Sequence, residues 1–243
     1  MDKTVLITLL VASGLGMPAW MAWRKAHKRS YLGGWLASLL LALPFALTLW
    51  RDWANLDKTI RNIPLEDANR AIAAIHAARK IYFVSEGVGA GLAQATASYL
   101  SMSKPDVVVL DLGAFDVALA LKEAGPEDVI IGVGFTNYSF AATRAMELGR
   151  KVGATTIGVI AQADCPIGAV ADILFTSAAT EEGYLPSPTS VSAILFALAY
   201  TSLTSDPDAY ARDLVRFQEA YADLTEGTAR GEDDVVEDLV GRF

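Results

Sequence analysis

The chain has 243 residues and a formal net charge of −8, a length that suits one large domain or a smaller domain with an appendage. The charge is uneven: residues 1–61 carry eight Lys or Arg and three Asp or Glu, a net +5, whereas residues 62–243 carry the remaining twelve and twenty-five, a net −13. The acidic part is therefore not expected to bind nucleic acid or anionic lipid, whereas the basic part could bind either.

The first fifty residues contain two uncharged runs, 4–23 and 31–50, each about as long as a membrane span. A short basic segment, Arg24–Arg29, separates them, so one interpretation is a helical hairpin in a membrane. Two observations count against it. The positive-inside rule would place the basic turn in the cytoplasm and the acidic part of the chain outside. Two glycines and a proline also interrupt the first run between residues 14 and 18.

The same segment also has the pattern of a helix-turn-helix. Residues 15–18 (LGMP) would form the turn, residues 19–29 the second helix and residues 31–35 (YLGGW) the next turn. A recognition helix needs cations on one exposed side, and this helix would present Arg24, Lys25, Lys28 and Arg29. The residues alone leave nucleic-acid binding and membrane anchoring open as alternatives.

A charged linker is predicted at residues 54–64, followed by an amphipathic helix at 65–79 with His76 on its outer face. Residues 80–84 have the pattern of a buried strand, which leads into a glycine-rich run (SEGVGAG, 85–91) and a helix of small residues at 92–102. Glycines between a strand and a helix let main-chain N–H groups approach an anion closely. Their spacing is not that of a dinucleotide-binding fingerprint.

Further short apolar runs predict four more buried strands, at residues 106–110, 128–133, 155–160 and 173–176. Helices predicted between successive strands make those strands parallel, and Gly153 is expected to end the helix after the third strand. We therefore predict an α/β fold with a five-stranded, parallel, doubly wound sheet, preceded by a small all-helical N-terminal segment.

The C-terminal part is predicted to be helical. Residues 189–203 are apolar on all sides, so we expect a second subunit to bury this helix. An amphipathic helix follows at 206–224, and then an acidic tail. The predicted organisation is a helical segment (1–53), a linker (54–64), an α/β domain (65–224) and the tail (225–243).

A polar loop, Thr136–Ser139, lies between the third predicted strand and its helix. Ligands of open parallel sheets bind beyond the carboxyl ends of the strands, and the free N–H groups at the start of a helix favour an anion. The sequence therefore predicts an anion-binding crevice centred on this loop.

Three segments together resemble the sugar isomerase (SIS) domain, and more narrowly that of RpiR-type transcriptional regulators. They are KIYFVSEGVGAGLAQATASYL, GPEDVIIGVGFTNYSFAATRAMELGRKVGATTIGVIAQADCPIGAVADILF and LPSPTSVSAILFALAY. The resemblance covers about residues 56–224. The segment LGMPAWMAWRKAHKRSYLGGWLASLLLAL is similar to the later part of that family's helix-turn-helix, and WRDWANLDKTIRNIP resembles its interdomain linker. This resemblance favours a truncated DNA-binding domain over a membrane hairpin.

The resemblance implies that a phosphorylated sugar or amino sugar binds to hydroxyls and N–H groups of the first and third strand-to-helix loops. Carried over by position, with Glu182 added as an acidic residue near the crevice, the ligand-binding residues are Ser85, Glu86, Gly87, Val88, Gly89, Thr136, Asn137, Tyr138, Ser139 and Glu182. Two positions depart from the family pattern. Ser85 stands where the family usually has Gly, and Gly89 stands where it usually has a phosphate-binding Ser.

The function that these observations favour is a cytoplasmic transcriptional regulator that senses a sugar phosphate, forms a homodimer or tetramer and binds DNA through its N-terminal basic helix. We expect no catalytic residue, no cofactor and no metal. Cys165, the only cysteine, is expected to be a packed residue rather than a nucleophile.

Three alternatives stay open. The first is a phosphosugar aldose–ketose isomerase, whose general base would be Glu86, Glu181 or Glu182. The second is a sensor tethered to a membrane through residues 4–50, and the third is a scaffold that only dimerises.

Overall fold

A computed structural model describes residues 31–104, 106–110, 113–135, 140–161, 165–178 and 187–225, with side chains from residue 42 onwards. The predicted basic helix, the loop Thr136–Ser139, Glu181 and Glu182, and most of the predicted acidic tail lie outside these residues. The chain divides into two compact units. One consists of Met1–Asn62 with Ala178–Ser190, and the other of Ile63–Ser177 with Val191–Phe243.

In the first unit, helix α1 (Tyr31–Asn62) has 32 residues. The predicted turn at residues 31–35 is wrong, because this segment is helical, and the predicted linker is helical as far as Asn62. Good helix formers surround the two glycines of the first segment, and the second carries an i,i+4 ion pair between Asp57 and Arg61 at 2.9 Å. The helix ends just before Ile63-Pro64, as the restriction on the residue preceding a proline favours.

Two side-chain hydrogen bonds connect α1 with the other segment of the first unit. The Thr59 hydroxyl accepts from the Ala178 N–H at 2.9 Å, and the Thr189 hydroxyl donates to the Asp52 carboxylate at 2.9 Å. Thr59 itself is buried. These bonds place one side of α1 against its own unit.

The second unit contains a five-stranded, all-parallel sheet, which confirms the predicted fold. Its strands are β1 (Lys80–Val84), β2 (Val107–Val109), β3 (Asp128–Gly134), β4 (Thr155–Ile160) and β5 (Ile173–Thr176), and their order in the sheet is β2-β1-β3-β4-β5. Most of these strand residues are buried, as expected of a parallel sheet with helices on both faces.

The helices of this unit are α2 (Leu65–Ala77), α3 (Val88–Leu100), α4 (Ala114–Leu121), α5 (Phe140–Lys151), α6 (Pro166–Val170), α7 (Thr189–Leu203, which begins in the first unit) and α8 (Pro207–Thr225). Helix α3 begins four residues before the predicted start, so the run 85–91 is a short loop followed by a helical turn. Gly153 follows α5 with φ +90°, as predicted for a residue that ends a helix. Among the residues described, no helix is both long and apolar enough to cross a membrane.

The core on one face of the sheet is formed by alternate strand residues and three helices. Tyr82 and Ile130 from the sheet cluster with Leu121 of α4, Met146 of α5 and Ile167 of α6. Because successive side chains of a strand point to opposite faces, the neighbouring residues of β1 and β3 point to the other face. The helices therefore cover the strands and leave their carboxyl ends as the edge where a ligand can reach the sheet.

The opposite edge, at the amino ends of β1 and β3, is connected by an ion pair. The buried Asp128 carboxylate accepts hydrogen bonds from the Arg79 guanidinium at 2.6 Å and from the Gly125 N–H at 2.9 Å. The hydrogen bond to Asp128 raises the pKa of Arg79 above its usual value. This pair joins residues that directly precede β1 and open β3, so it helps to align the two strands.

Candidate functional site

The candidate site lies where β1 and β3 end beside each other. Val84 is aligned with Gly132 in the sheet, and the Ser85 hydroxyl donates a hydrogen bond to the Val133 carbonyl oxygen at 2.7 Å. The strand order reverses at this point, since β2 lies on one side of β1 and β3 on the other. Crevices at such switch points are where ligands of doubly wound sheets bind. The first and third strand-to-helix junctions are therefore neighbours, as the predicted crevice requires.

One side of the crevice is the N-terminus of α3. No side chain caps this helix, and Gly87, which precedes it, has φ 59° and ψ −128°. A positive φ is strained for any residue with a Cβ, so glycine suits this turn. Glu86, Gly87 and Val88 are exposed. The first N–H groups of the helix thus have no side-chain partner and face a solvent-accessible turn, which is the arrangement that binds anions.

Ser85 and Gly89 are coupled by their packing. Ser85 is 4% exposed. A Cβ built on Gly89 would collide with the Ser85 hydroxyl and lie 3.2 Å from the Val133 carbonyl oxygen. A side chain at position 89 is therefore incompatible with the Ser85 hydroxyl in its present place. The two departures from the family pattern compensate each other, because the space of one side chain holds the other.

This coupling limits what Ser85 can offer a ligand. A serine hydroxyl has one proton and two lone pairs, and Val133 accepts that proton. Ser85 can therefore accept a hydrogen bond from a ligand but has no second proton for a phosphate oxygen. The donors that remain at this junction are main-chain N–H groups. Val133 was missed by sequence reasoning because its contribution is a carbonyl oxygen, which no residue type identifies.

The other side of the crevice is only partly described. Helix α5 begins at Phe140, which is 76% exposed, while Ala142 and Thr143 in its first turn are buried. Thr136, Asn137, Tyr138 and Ser139, which connect β3 with this helix, lie outside the described residues. The start of α5 is thus beside the end of β3, as predicted, and the hydroxyls assigned to this loop stay a prediction.

Acidic and sulfur-containing groups complete the picture of the site. Glu86 is exposed, and it is the one candidate general base within the part of the chain that the structure describes. Cys165, just before α6, is 3% exposed, which confirms the expectation of a packed residue. Among the described residues, no group of three His, Cys, Asp or Glu could hold a metal ion. The described geometry therefore offers hydrogen-bond donors for an anion and one solvated carboxylate.

Comparison with known proteins agrees with this arrangement. The family model of the SIS domain matches residues 74–203, just over half of the chain and all five strands. No curated protein matches the sequence.

Several solved structures have the same fold. The sugar isomerase domain of an RpiR transcription factor from Sphaerobacter thermophilus is 22% identical, with a TM-score of 0.66 over 70% of this chain and 96% of that chain. The Vibrio vulnificus NanR protein complexed with ManNAc-6P is 15% identical, with a TM-score of 0.66 over 77% and 74% of the two chains. The protein c3406 of Escherichia coli CFT073, in complex with a phosphosugar ligand, is 15% identical, with a TM-score of 0.55 over 72% and 98%.

Proposed function

Because the chain belongs to the family of SIS-domain proteins, we propose that it binds a phosphorylated sugar in the crevice between β1 and β3 and acts as a sensor. The observation that carries this proposal is the uncapped, exposed N-terminus of α3 at the switch point of the sheet. A phosphate there receives hydrogen bonds from main-chain N–H groups, and the helix dipole favours its negative charge.

The ligands of two similar structures support the choice of ligand class. NanR is complexed with ManNAc-6P, and c3406 also holds a phosphosugar. In our proposal the phosphate lies at the α3 N-terminus, and the sugar extends towards the loop that connects β3 with α5. Hydroxyls of Thr136 and Ser139 then supply the side-chain donors that Ser85 lacks, because the proton of Ser85 is engaged by Val133.

A sensor is favoured over an isomerase by the exposure of Glu86. A general base for aldose–ketose isomerisation must lie within hydrogen-bond reach of the sugar carbon that loses its proton, and its pKa is tuned by burial. Glu86 is exposed at the turn before α3, so its surroundings supply little burial. Glu181 and Glu182 lie outside the described residues, and turnover of a hexose or pentose phosphate that is lost in Glu182→Gln would favour the enzyme.

The output of the sensor is proposed to be transcriptional control, with Arg24, Lys25, Lys28 and Arg29 contacting DNA. These four residues lie outside the described part of the chain, so this step rests on their pattern and on the resemblance to RpiR-type regulators. A gel-shift assay with the full chain, with and without a sugar phosphate, tests it. Sequence-independent binding that no sugar phosphate alters would contradict it.

The ligand proposal is tested by thermal unfolding with a panel of sugar phosphates, each paired with its unphosphorylated sugar. A ligand at a hundred times its dissociation constant stabilises the folded state by about 2.7 kcal/mol. We expect a rise in melting temperature with at least one phosphorylated sugar and none with the matched free sugar. Equal responses to a sugar phosphate and to inorganic phosphate would reduce the site to a phosphate site, and no response across the panel would contradict the proposal.

A further inference from the structure

Helix α1 exposes a row of large apolar side chains in the middle of its length. Phe45, Leu47, Leu49, Trp50 and Trp53 are each between 43% and 53% exposed. We call these five residues the apolar face of α1. Water-exposed clusters of this size are uncommon in soluble proteins and indicate an interaction site.

The width of the apolar face bears on the kind of partner. At about 100° per residue, its five side chains spread over an arc of about 200°. The buried Asn55 and Thr59 lie outside this arc, on the side that is bonded to Ala178. A helix that pairs with one other helix uses a narrower stripe of a and d positions. An arc of more than half the circumference is better covered by a medium that surrounds the helix, such as lipid.

The distribution of charge along α1 points the same way. Residues 31–50 contain no Asp, Glu, Lys or Arg, and the charged residues of the helix begin with Arg51 and Asp52. Trp50 and Trp53 lie at this border. Tryptophan prefers the boundary between hydrocarbon and water, because its ring is apolar and its N–H seeks a polar partner.

A basic segment precedes the helix in the sequence. Residues 24–29 contribute four of the eight Lys and Arg of residues 1–61, a part of the chain with a net charge of +5. Clusters of basic residues next to an apolar helix are attracted to anionic lipid head groups. The charge of this part of the chain thus complements an anionic membrane surface, whereas the net −13 of residues 62–243 does not.

We propose that the apolar face of α1 docks on an anionic lipid bilayer, with Trp50 and Trp53 at the level of the head groups. The docking concerns the described side chains from Ala42 to Trp53 and does not require the helix to cross the bilayer. It involves no residue of the sugar-phosphate site, so it is independent of the proposed function.

The test is flotation of the full chain with vesicles of phosphatidylcholine and phosphatidylglycerol. We expect the wild-type chain to float with the vesicles, and the double variant Leu47→Lys/Leu49→Lys to show at least a tenfold lower bound fraction. The matched control is Ile60→Lys, since Ile60 is 62% exposed on the same helix but lies beyond the charged border; it should float like the wild type. Circular dichroism verifies that all three chains keep their helix content.

Tryptophan emission gives a second measurement that reports on position. The five tryptophans of the chain all precede residue 54, so a variant that keeps Trp53 and replaces the others with Phe isolates one reporter. Its emission should shift to the blue on adding vesicles and be quenched by brominated lipids.

Three results would overturn the proposal. The first is a wild-type chain that stays unbound, and the second is a double variant that floats like the wild type. The third is a vesicle-free dimer that the double variant dissociates while vesicle binding is absent, because a second copy would then cover the face. A thermal response to sugar phosphates that survives in the double variant shows that the ligand site is intact in each case.

Discussion

Gly87 sets the direction of the turn between β1 and α3. Its φ is 59°, and no atom lies within 4 Å of a Cβ built there, so only the backbone conformation disfavours a side chain. We expect Gly87→Ala to lower the free energy of unfolding by about 1–3 kcal/mol and to weaken sugar-phosphate binding, because the N-terminus of α3 must shift. Urea denaturation measures the first effect and the thermal response to ligand the second.

Gly125→Ala is the matched control for that variant. Gly125 also has open space around a built Cβ, but its φ is not positive. Alanine at a compatible position changes stability by only about 0.5 kcal/mol, often favourably. Equal losses in the two variants would show that the conformation of Gly87 is not what the turn depends on.

The compensation between Ser85 and Gly89 predicts a non-additive mutant cycle. Gly89→Ser should be destabilised by about 1–3 kcal/mol, because its Cβ collides with the Ser85 hydroxyl. Ser85→Gly removes that hydroxyl, so the double variant should recover part of the loss, with a coupling of about 0.5–3 kcal/mol. Denaturation curves of the four chains measure this coupling. Strictly additive losses would mean that the site relaxes around both side chains.

The ion pair below the sheet predicts unequal effects for two arginines. Arg79→Met leaves the buried Asp128 carboxylate without its charged partner, which should cost about 1–3 kcal/mol of stability. Arg144→Met breaks an ion pair with Glu147 in which both side chains are exposed, and such pairs contribute at most about 1 kcal/mol. Chemical denaturation compares them, and a loss in Arg79→Met no larger than in Arg144→Met would contradict the role assigned to Asp128.

At the scale of elements, the strands were predictable because parallel strands are continuous β-branched apolar runs that end at polar or glycine residues. The helix boundaries near glycine were not. Gly33 and Gly34 were interpreted as a turn, and Gly89 and Gly91 as a loop, but all four lie within helices. Glycine has a low helix propensity without forbidding a helix. Whether it breaks one depends on packing, which a single sequence does not contain.

Helix α7 carries an aromatic cluster that supports the predicted oligomer. The rings of Phe196 and Tyr200 are stacked at 6.0 Å, Tyr99 of α3 meets Phe196 edge-on at 5.5 Å, and all three are exposed. If a second copy covers this cluster, Phe196→Lys should weaken the dimer at least tenfold, a change of about 1.4 kcal/mol. Sedimentation equilibrium measures it, with Leu65→Lys, an exposed residue of α2, as the control. A dimer unaffected by Phe196→Lys would place the interface elsewhere.

At the scale of the whole molecule, the fold and the location of the crevice could be argued from sequence, whereas its chemistry could be argued only in part. The adjacency of β1 and β3 follows from the resemblance and from the rules for parallel sheets. The engagement of the Ser85 proton by Val133 could not be predicted, because it depends on two strands that meet across 48 residues. The exposed face of α1 was likewise hidden by an interpretation that placed a turn at residues 31–35.

The long sequence separation between Ser85 and Val133 has a consequence for how the protein is made. A nascent chain that has not yet emerged beyond Gly134 cannot pair β1 with β3, so the central strand of the sheet keeps one unpaired edge until that moment. Metabolite therefore has nothing to bind on the ribosome and can reward only the finished sheet. Pairings this distant also form slowly, which makes the half-made sheet the stage at which the chain depends most on chaperones.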